Sequence, residues 1–138
     1  GFTSGTPWID VPASASHINV EAQLEDPSSV YAYYRALIEA RHRVPALTTG
    51  SFERIDAGDP ALFVYQRSCE GSTVLVAVNL SGRAIIPSGA LIDEAFPSSR
   101  WNLYLGNMSG SHPDTEQETL TPTSSMAPWE ARVYLAAR

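Results

Sequence analysis

Thr73-Val74-Leu75-Val76-Ala77-Val78-Asn79 is the most apolar run of the sequence. It is rich in β-branched residues and bounded by Gly71-Ser72 and Ser81-Gly82, which predicts a central strand buried on both faces. Just upstream, Ala61–Arg67 alternates with period two, and Cys69-Glu70-Gly71-Ser72 between the runs predicts a hairpin. Further period-two stretches lie at Ser51–Ile55, Ala84–Ile86, Arg100–Leu105 and Ala131–Ala136, with a short strand expected around Thr119–Thr121. Turn chemistry separates them at Ala57-Gly58-Asp59-Pro60, Pro87-Ser88-Gly89 and Gly110-Ser111-His112-Pro113. Short strands at such spacing predict a mainly β fold, an antiparallel β-sandwich over residues 48–138.

The first 47 residues read differently. Residues 1–25 are rich in Gly, Pro, Ser and Thr, sustain no period, and are expected to be mostly loop. Asp26-Pro27-Ser28-Ser29 then predicts a helix start, with Asp26 as the cap and Pro27 at the first helical position. Val30, Tyr33, Tyr34, Leu37 and Ile38 follow at close to helical period. Glu39 and Arg43 stand four apart in the favourable order, and Arg41, His42 and Arg43 complement the negative end of the helix dipole. Pro45 disfavours helical geometry at Val44, so the helix is expected to end near Arg43. A loop and one amphipathic helix ahead of an all-β domain is the order expected at the end of something larger.

The 138 residues suit one domain, or a small domain with an appendage, and 43% are hydrophobic, enough for a packed core. All nine basic residues are Arg, and 15 acidic residues bring the net charge to −6. That balance argues against nucleic-acid binding. No apolar run approaches ~18 residues, which argues against a membrane helix. The first residues show neither a basic nor an apolar leader run, and Cys69 is the only cysteine, so a reducing cytoplasm is the expected compartment.

Retaining glycoside hydrolysis needs two carboxyl groups about 5–5.5 Å apart. The closest acidic pairs in sequence are Asp56 with Asp59, Asp93 with Glu94, and Glu116 with Glu118, all in turns or polar loops and all expected to be solvated. His17, His42 and His112 lack metal-ligand spacing. No Gly-x-Ser-x-Gly occurs, and Cys69 has no Cys or His partner nearby in sequence. No catalytic residue, metal ligand or cofactor is therefore assigned. Trp8, Trp101 and Trp129 have the apolar area and polar edge that suit a sugar ring, but packing is the favoured role, and Trp101 and Trp129 are expected to be mostly buried. Asn79-Leu80-Ser81 and Asn107-Met108-Ser109 match the glycosylation triplet, which is common by chance.

Gly1-Phe2-Thr3-Ser4-Gly5-Thr6-Pro7-Trp8-Ile9, Ile18-Asn19-Val20-Glu21-Ala22-Gln23 and the helical stretch Asp26 to Arg41 carry a resemblance. Together they resemble the α-glucosidases of the α-amylase superfamily, glycoside hydrolase family 13, in particular the oligo-1,6-glucosidases. Thr73–Ser81 and Pro128-Trp129-Glu130-Ala131-Arg132-Val133-Tyr134 resemble strands of that family's C-terminal β-domain. The resemblance implies that residues 1–47 are the last loop and last helix of a (β/α)8 barrel, and residues 48–138 the C-terminal β-sandwich. It places the family's nucleophile, acid/base and third carboxylate upstream of Gly1. It implies a parent that hydrolyses terminal α-1,6- or α-1,4-linked glucose from oligosaccharides, and a piece that is catalytically inert. Asp10–His17 departs from the family's Asn-Pro-Asn-Tyr-like stretch. Trp8, on the active-site side of that loop, is the one candidate for substrate contact.

Three alternatives stand beside this. Sucrose isomerases, trehalose synthases and dextran glucosidases carry similar tails. A free-standing carbohydrate-binding β-sandwich would expose two or more aromatics on one sheet face or in adjacent loops. An interaction module unrelated to sugars would leave the glucosidase-like stretch unexplained. The partners implied are an oligosaccharide for the parent and the chain's own barrel. Without that barrel, the stripe of Val30, Tyr34, Leu37 and Ile38 is expected to pack back on the sheet, associate with a second copy, or fray.

Overall fold

The structure, a computed structural model, describes residues 3–88, 100–108 and 120–137. The chain divides into two compact units, Gly1–Arg35 and Ala36–Arg138.

The larger unit is built on one five-stranded antiparallel sheet. Its strands are β1 (Glu53–Ile55), β2 (Leu62–Cys69), β3 (Ser72–Asn79), β4 (Trp101–Gly106) and β5 (Ala131–Ala136), in the order β1-β2-β3-β5-β4. β3 occupies the middle of the sheet, as its apolar run predicts. Val74, Leu75 and Ala77 are almost wholly buried, so both faces of the strand are covered. The β2–β3 hairpin turns at Glu70-Gly71, where Gly71 takes a φ of 70° that a side chain would resist.

One sheet face carries the main core, with Leu62 and Val64 of β2, Leu75 and Ala77 of β3, Trp101 and Leu103 of β4 and Tyr134 of β5. Ile85 and Met126 join this cluster and form a single antiparallel bridge with each other. The Ala84–Ile86 stretch therefore pairs at one residue only and is not a strand. Leu120 and Thr121 are not in a strand, and Thr119 lies outside the described residues. The mainly β reading holds, with the described strands forming a single sheet.

Val74, on the other face, packs with Val44 and Ala46, joined by Leu47, Cys69, Tyr104 and Leu135. Ala46 belongs to α3 (Ala46–Thr49), a single turn that packs on β2 and β3. Arg67 of β2 fixes its end. Its guanidinium donates to the carbonyls of Leu47 (2.6 Å) and Gly50 (2.7 Å), two acceptors left over where the turn stops.

The smaller unit is more structured than its composition suggests. A short 3-10 turn, Ala13–Ser16, and a helix, α1 (Val20–Leu24), interrupt the expected loop. Asn19 caps α1, its side-chain oxygen accepting from the Ala22 N–H at 2.9 Å. The long helix α2 runs Val30–Arg43 and ends where Pro45 predicts. Its cap is Ser29 rather than Asp26, the Ser29 hydroxyl accepting from the Ala32 N–H at 3.1 Å. Asp26 instead closes the preceding turn on Ser28, through the backbone N–H and the hydroxyl. Gln23 reaches across to accept from the Tyr31 N–H at 3.0 Å. The Asn and Gln of the Ile18–Gln23 motif thus satisfy orphan donors of two successive helices.

α2 turns out to have two apolar faces. Ala36 and Ala40 are buried, while Val30, Tyr34 and Ile38 are 68%, 62% and 56% exposed and Leu37 is half-buried. The stripe expected to seek cover is mostly in water, because the covered face is formed by Ala36 and Ala40 with half-buried Tyr33 and Leu37. Glu39 and Arg43 form their i,i+4 pair at 2.6 Å, exposed and worth only about 0.3–0.5 kcal/mol.

Candidate functional site

Trp8 stands 96% exposed in a stretch without helix or strand. Asp56 and Asp59 share an open depression of about 550 Å³ with Arg54, Gly58 and Pro60. Each is committed to its turn. Asp56 accepts from the Gly58 N–H at 3.0 Å, and Asp59 accepts from the Ala61 N–H at 2.9 Å and from Arg83 at 2.7 Å. The Ala61 N–H, and then Arg83, hold the Asp59 carboxyl below its usual range. A general acid needs the opposite displacement. Asp93, Glu94, Glu116, Glu118 and His112 lie outside the described residues.

His17 is exposed, with Nδ1 3.3 Å from the Ser16 hydroxyl. His42 is exposed in the last turn of α2. Cys69 is half-buried at the end of β2. Among the described residues no group of three His, Cys, Asp or Glu side chains is placed to hold a metal ion. None of their helices is long and apolar enough to cross a membrane.

The densest polar construction surrounds the turn that enters β5, and sequence reasoning missed it. Glu130 and Arg132, both under 5% exposed, form a two-point ion pair with Nε–Oε1 at 2.7 Å and Nη2–Oε2 at 2.8 Å. Arg132 also donates to the carbonyls of Ser124 (3.1 Å) and Ser125 (2.6 Å), and Glu130 accepts from the Ala127 N–H at 2.6 Å. Tyr134 donates its hydroxyl to the Thr121 carbonyl at 2.9 Å, and burial pushes its phenol up. The signal was present as period two: Arg132 and Tyr134 share one face of β5, and Glu130 stands two residues before Arg132.

Asn79 is wholly buried and fully engaged. Its Nδ2 donates to the carbonyls of Arg83 (2.7 Å) and Ala127 (2.8 Å), and its Oδ1 accepts from the Ser81 N–H and hydroxyl. A side chain so enclosed cannot accept a glycan, whatever its triplet. Asn107 donates to the Trp129 carbonyl at 2.9 Å and accepts from the Ala131 N–H at 2.7 Å.

Between these two asparagines sits Trp129 at a φ of 60°, the one non-glycine residue in the left-handed region among those described. For an L-residue that conformation costs roughly 1–2 kcal/mol, and the surrounding hydrogen bonds hold it. Its result is outward projection. Trp101 is 5% exposed in the core, as expected, with the Arg100 guanidinium 5.6 Å from its ring centre, but Trp129 is 62% exposed, against expectation.

The chain has marked similarity to known proteins. The family model for the α-amylase catalytic domain matches residues 1–50. The oligo-1,6-glucosidase of Heyndrickxia coagulans is 38% identical over 134 residues, which cover 97% of this chain and 21% of that protein. The trehalose-6-phosphate hydrolase of Escherichia coli is 37% identical over 122 residues, covering 88% of this chain and 21% of that protein. The solved trehalulose synthase of Pseudomonas mesoacidophila superposes with a TM-score of 0.72 at 30% identity, covering 99% of this chain and 23% of that one. The chain therefore spans about a fifth of the length of the relatives it matches. Nearly all of this chain is thus similar to about a fifth of an oligo-1,6-glucosidase, and its first 50 residues match the α-amylase catalytic-domain family.

Proposed function

We propose that this chain is the closing part of a retaining α-glucosidase and that it is architectural rather than catalytic. One observation carries this. Similarity covers nearly the whole chain yet only about a fifth of each relative, so the rest of such an enzyme is available to hold the reaction centre. In this reading residues 1–47 are the last loop and helix of the catalytic barrel, residues 48–138 are the β-domain, and the parent works in the cytoplasm. The parent releases terminal α-1,6- or α-1,4-linked glucose from short oligosaccharides through a carboxylate nucleophile and a carboxylic acid/base. Trp8 belongs to the loop on the active-site side.

The exposed outer stripe of α2 supports the barrel assignment. Val30, Tyr34 and Ile38 are each worth about 1.5–3 kcal/mol when covered. A (β/α)8 barrel packs its helices against one another and the strands, and supplies that cover. In the chain alone the same stripe favours association of two copies.

The test is hydrolysis of isomaltose by the 138-residue chain and by the whole protein that carries it, with the product anomer followed by NMR. The chain alone should release no glucose, and the whole protein should release α-glucose first. Turnover by the chain alone overturns the inert reading. A whole protein that rearranges sucrose without hydrolysing isomaltose points instead to an isomerase parent.

A further inference from the structure

We propose that Trp129 is a surface platform for a glucose oligosaccharide, separate from any active site. The choice of sugar over another ring-bearing ligand rests on the parent activity proposed above.

A bulky residue held in the left-handed region marks a place where a side chain is aimed against its own conformational preference. At Trp129 the aim is outward. The Trp129 N–H is tied to the Ser81 carbonyl (3.1 Å) and its carbonyl to the Asn107 amide (2.9 Å), so the backbone on both sides of the indole is fixed. The ring lies beside Gly82, where an added methyl would meet Cζ2 and Nε1 at 3.9 Å.

The result is a largely exposed indole on a backbone held from both sides, with Arg83, 61% exposed in its side chain, next along the chain from Gly82. An indole face suits the apolar C–H face of a pyranose, and the guanidinium N–H groups of Arg83 other than the one held by Asp59 supply donors for ring hydroxyls. An apolar core anchor would need the reverse, a ring folded into the sheet as Trp101 is. One stacked ring without an enclosing pocket gives a dissociation constant in the range of roughly 1–10 mM.

The experiment uses the 138-residue chain labelled with 5-fluorotryptophan, so that the three Trp residues give separate fluorine signals, and isomaltotriose as the probe. The Trp129 signal, assigned through Trp129→Tyr, should shift saturably while the Trp101 signal stays in place. Sorbitol, an open-chain polyol, should leave both unmoved. Trp129→Gly removes the ring yet accepts the positive φ, so it keeps the turn. It should weaken binding by at least about 10-fold, and Trp129→Tyr should restore it to within about 3-fold.

No saturable shift, an equal shift with sorbitol, or undiminished binding by Trp129→Gly overturns the platform. So does protection of Trp129 from acrylamide quenching in the whole protein. In the whole protein, Trp129→Gly should leave kcat/KM for isomaltose unchanged. Absence of isomaltose hydrolysis by the unsubstituted whole protein sinks the parent reading instead, and so separates the two failures.

Discussion

Arg132→Met tests whether the buried ion pair holds the entrance to β5. The substitution keeps most of the apolar stem of Arg132 and removes its charged fork. Glu130 then retains a single described donor, the Ala127 N–H, in a site where it is 4% exposed. The carbonyls of Ser124 and Ser125 lose their guanidinium partner as well. Removing one member of a buried pair costs about 3–5 kcal/mol, because the other charge stays uncompensated. For a domain whose total stability is of the order of 5–15 kcal/mol, that is a large fraction. With ~4–8 °C lost per kcal/mol for a unit of this size, Tm should fall by about 12–40 °C. Urea unfolding followed by tryptophan fluorescence measures it, with an unchanged slope showing that the same surface unfolds. Glu130→Leu combined with Arg132→Met should recover roughly half of the loss, since it removes the stranded charge but leaves backbone groups unpaired. A cost below about 1 kcal/mol for Arg132→Met, or a double variant no more stable than the single one, refutes the pair as the organising contact.

Three further outcomes follow from the geometry. Asp59 has a folded pKa below its ordinary 3.8, so its contribution is complete above that value and is lost as pH falls through the lower native one. NMR titration should give an Asp59 midpoint below 3.8, and Arg83→Ala should raise it only in part, because the Ala61 N–H is the larger cause. Gly58→Ala should destabilise more than Gly71→Ala. Both positions have positive φ, costing roughly 1–2 kcal/mol, but at Gly58 a methyl also meets the Ser88 Cβ at 2.9 Å, whereas Gly71 faces open space. Differential scanning calorimetry of both variants checks the order. At concentrations where the 138-residue chain is monomeric, Ile38→Ser should change its melting by no more than the ~0.5 kcal/mol usual at an exposed site. In the whole protein it should cost about 1.5–3 kcal/mol if the barrel covers that stripe.

The fold was legible wherever a local pattern had one physical solution. The apolar run at Thr73–Asn79 could only be a strand covered on both faces, and Pro45 could only end α2. Ile85 misled, since a short alternating stretch satisfies one bridge as well as a strand. Asp26 misled because Ser29, three residues on, offered a second capping oxygen and lay closer to the first true helical residue. Loop composition at residues 1–25 concealed two helical turns, and the motif that had signalled only kinship supplies Asn19 as the cap of α1 and Gln23 as an acceptor at the start of α2. The side-chain bonds around Asn79, Asn107, Glu130 and Arg132 were least legible. Asn79 reaches Ala127 and Asn107 reaches Trp129 and Ala131, far along the chain, while Glu130 and Arg132 bind the loop just before them. Period two states only which side chains share a face, not which loop they will bind. Trp129 was misplaced for a related reason. Its type predicts burial, and its φ, fixed by partners on two other segments, decides otherwise.

The two apolar faces of α2 and the outward Trp129 illustrate different ways of leaving a hydrophobic group in water. Along α2 the exposed residues recur at helical spacing, Val30, Tyr34 and Ile38, which is the pattern of a seam made for a neighbour along the helix. Nothing in the helix holds these side chains to a fixed direction beyond their rotamers. A partner surface of the same length is what such a stripe matches, and it is indifferent to the ring chemistry of a ligand. At Trp129 the exposed group is single, and the backbone beneath it is pinned from Ser81 and Asn107. A seam is built from repetition, and a platform from rigidity. The first is the expected mark of a missing stretch of the same enzyme and the second of a small flat ligand, which is why Ile38→Ser and Trp129→Gly should separate, one in stability of the whole protein and the other in binding alone.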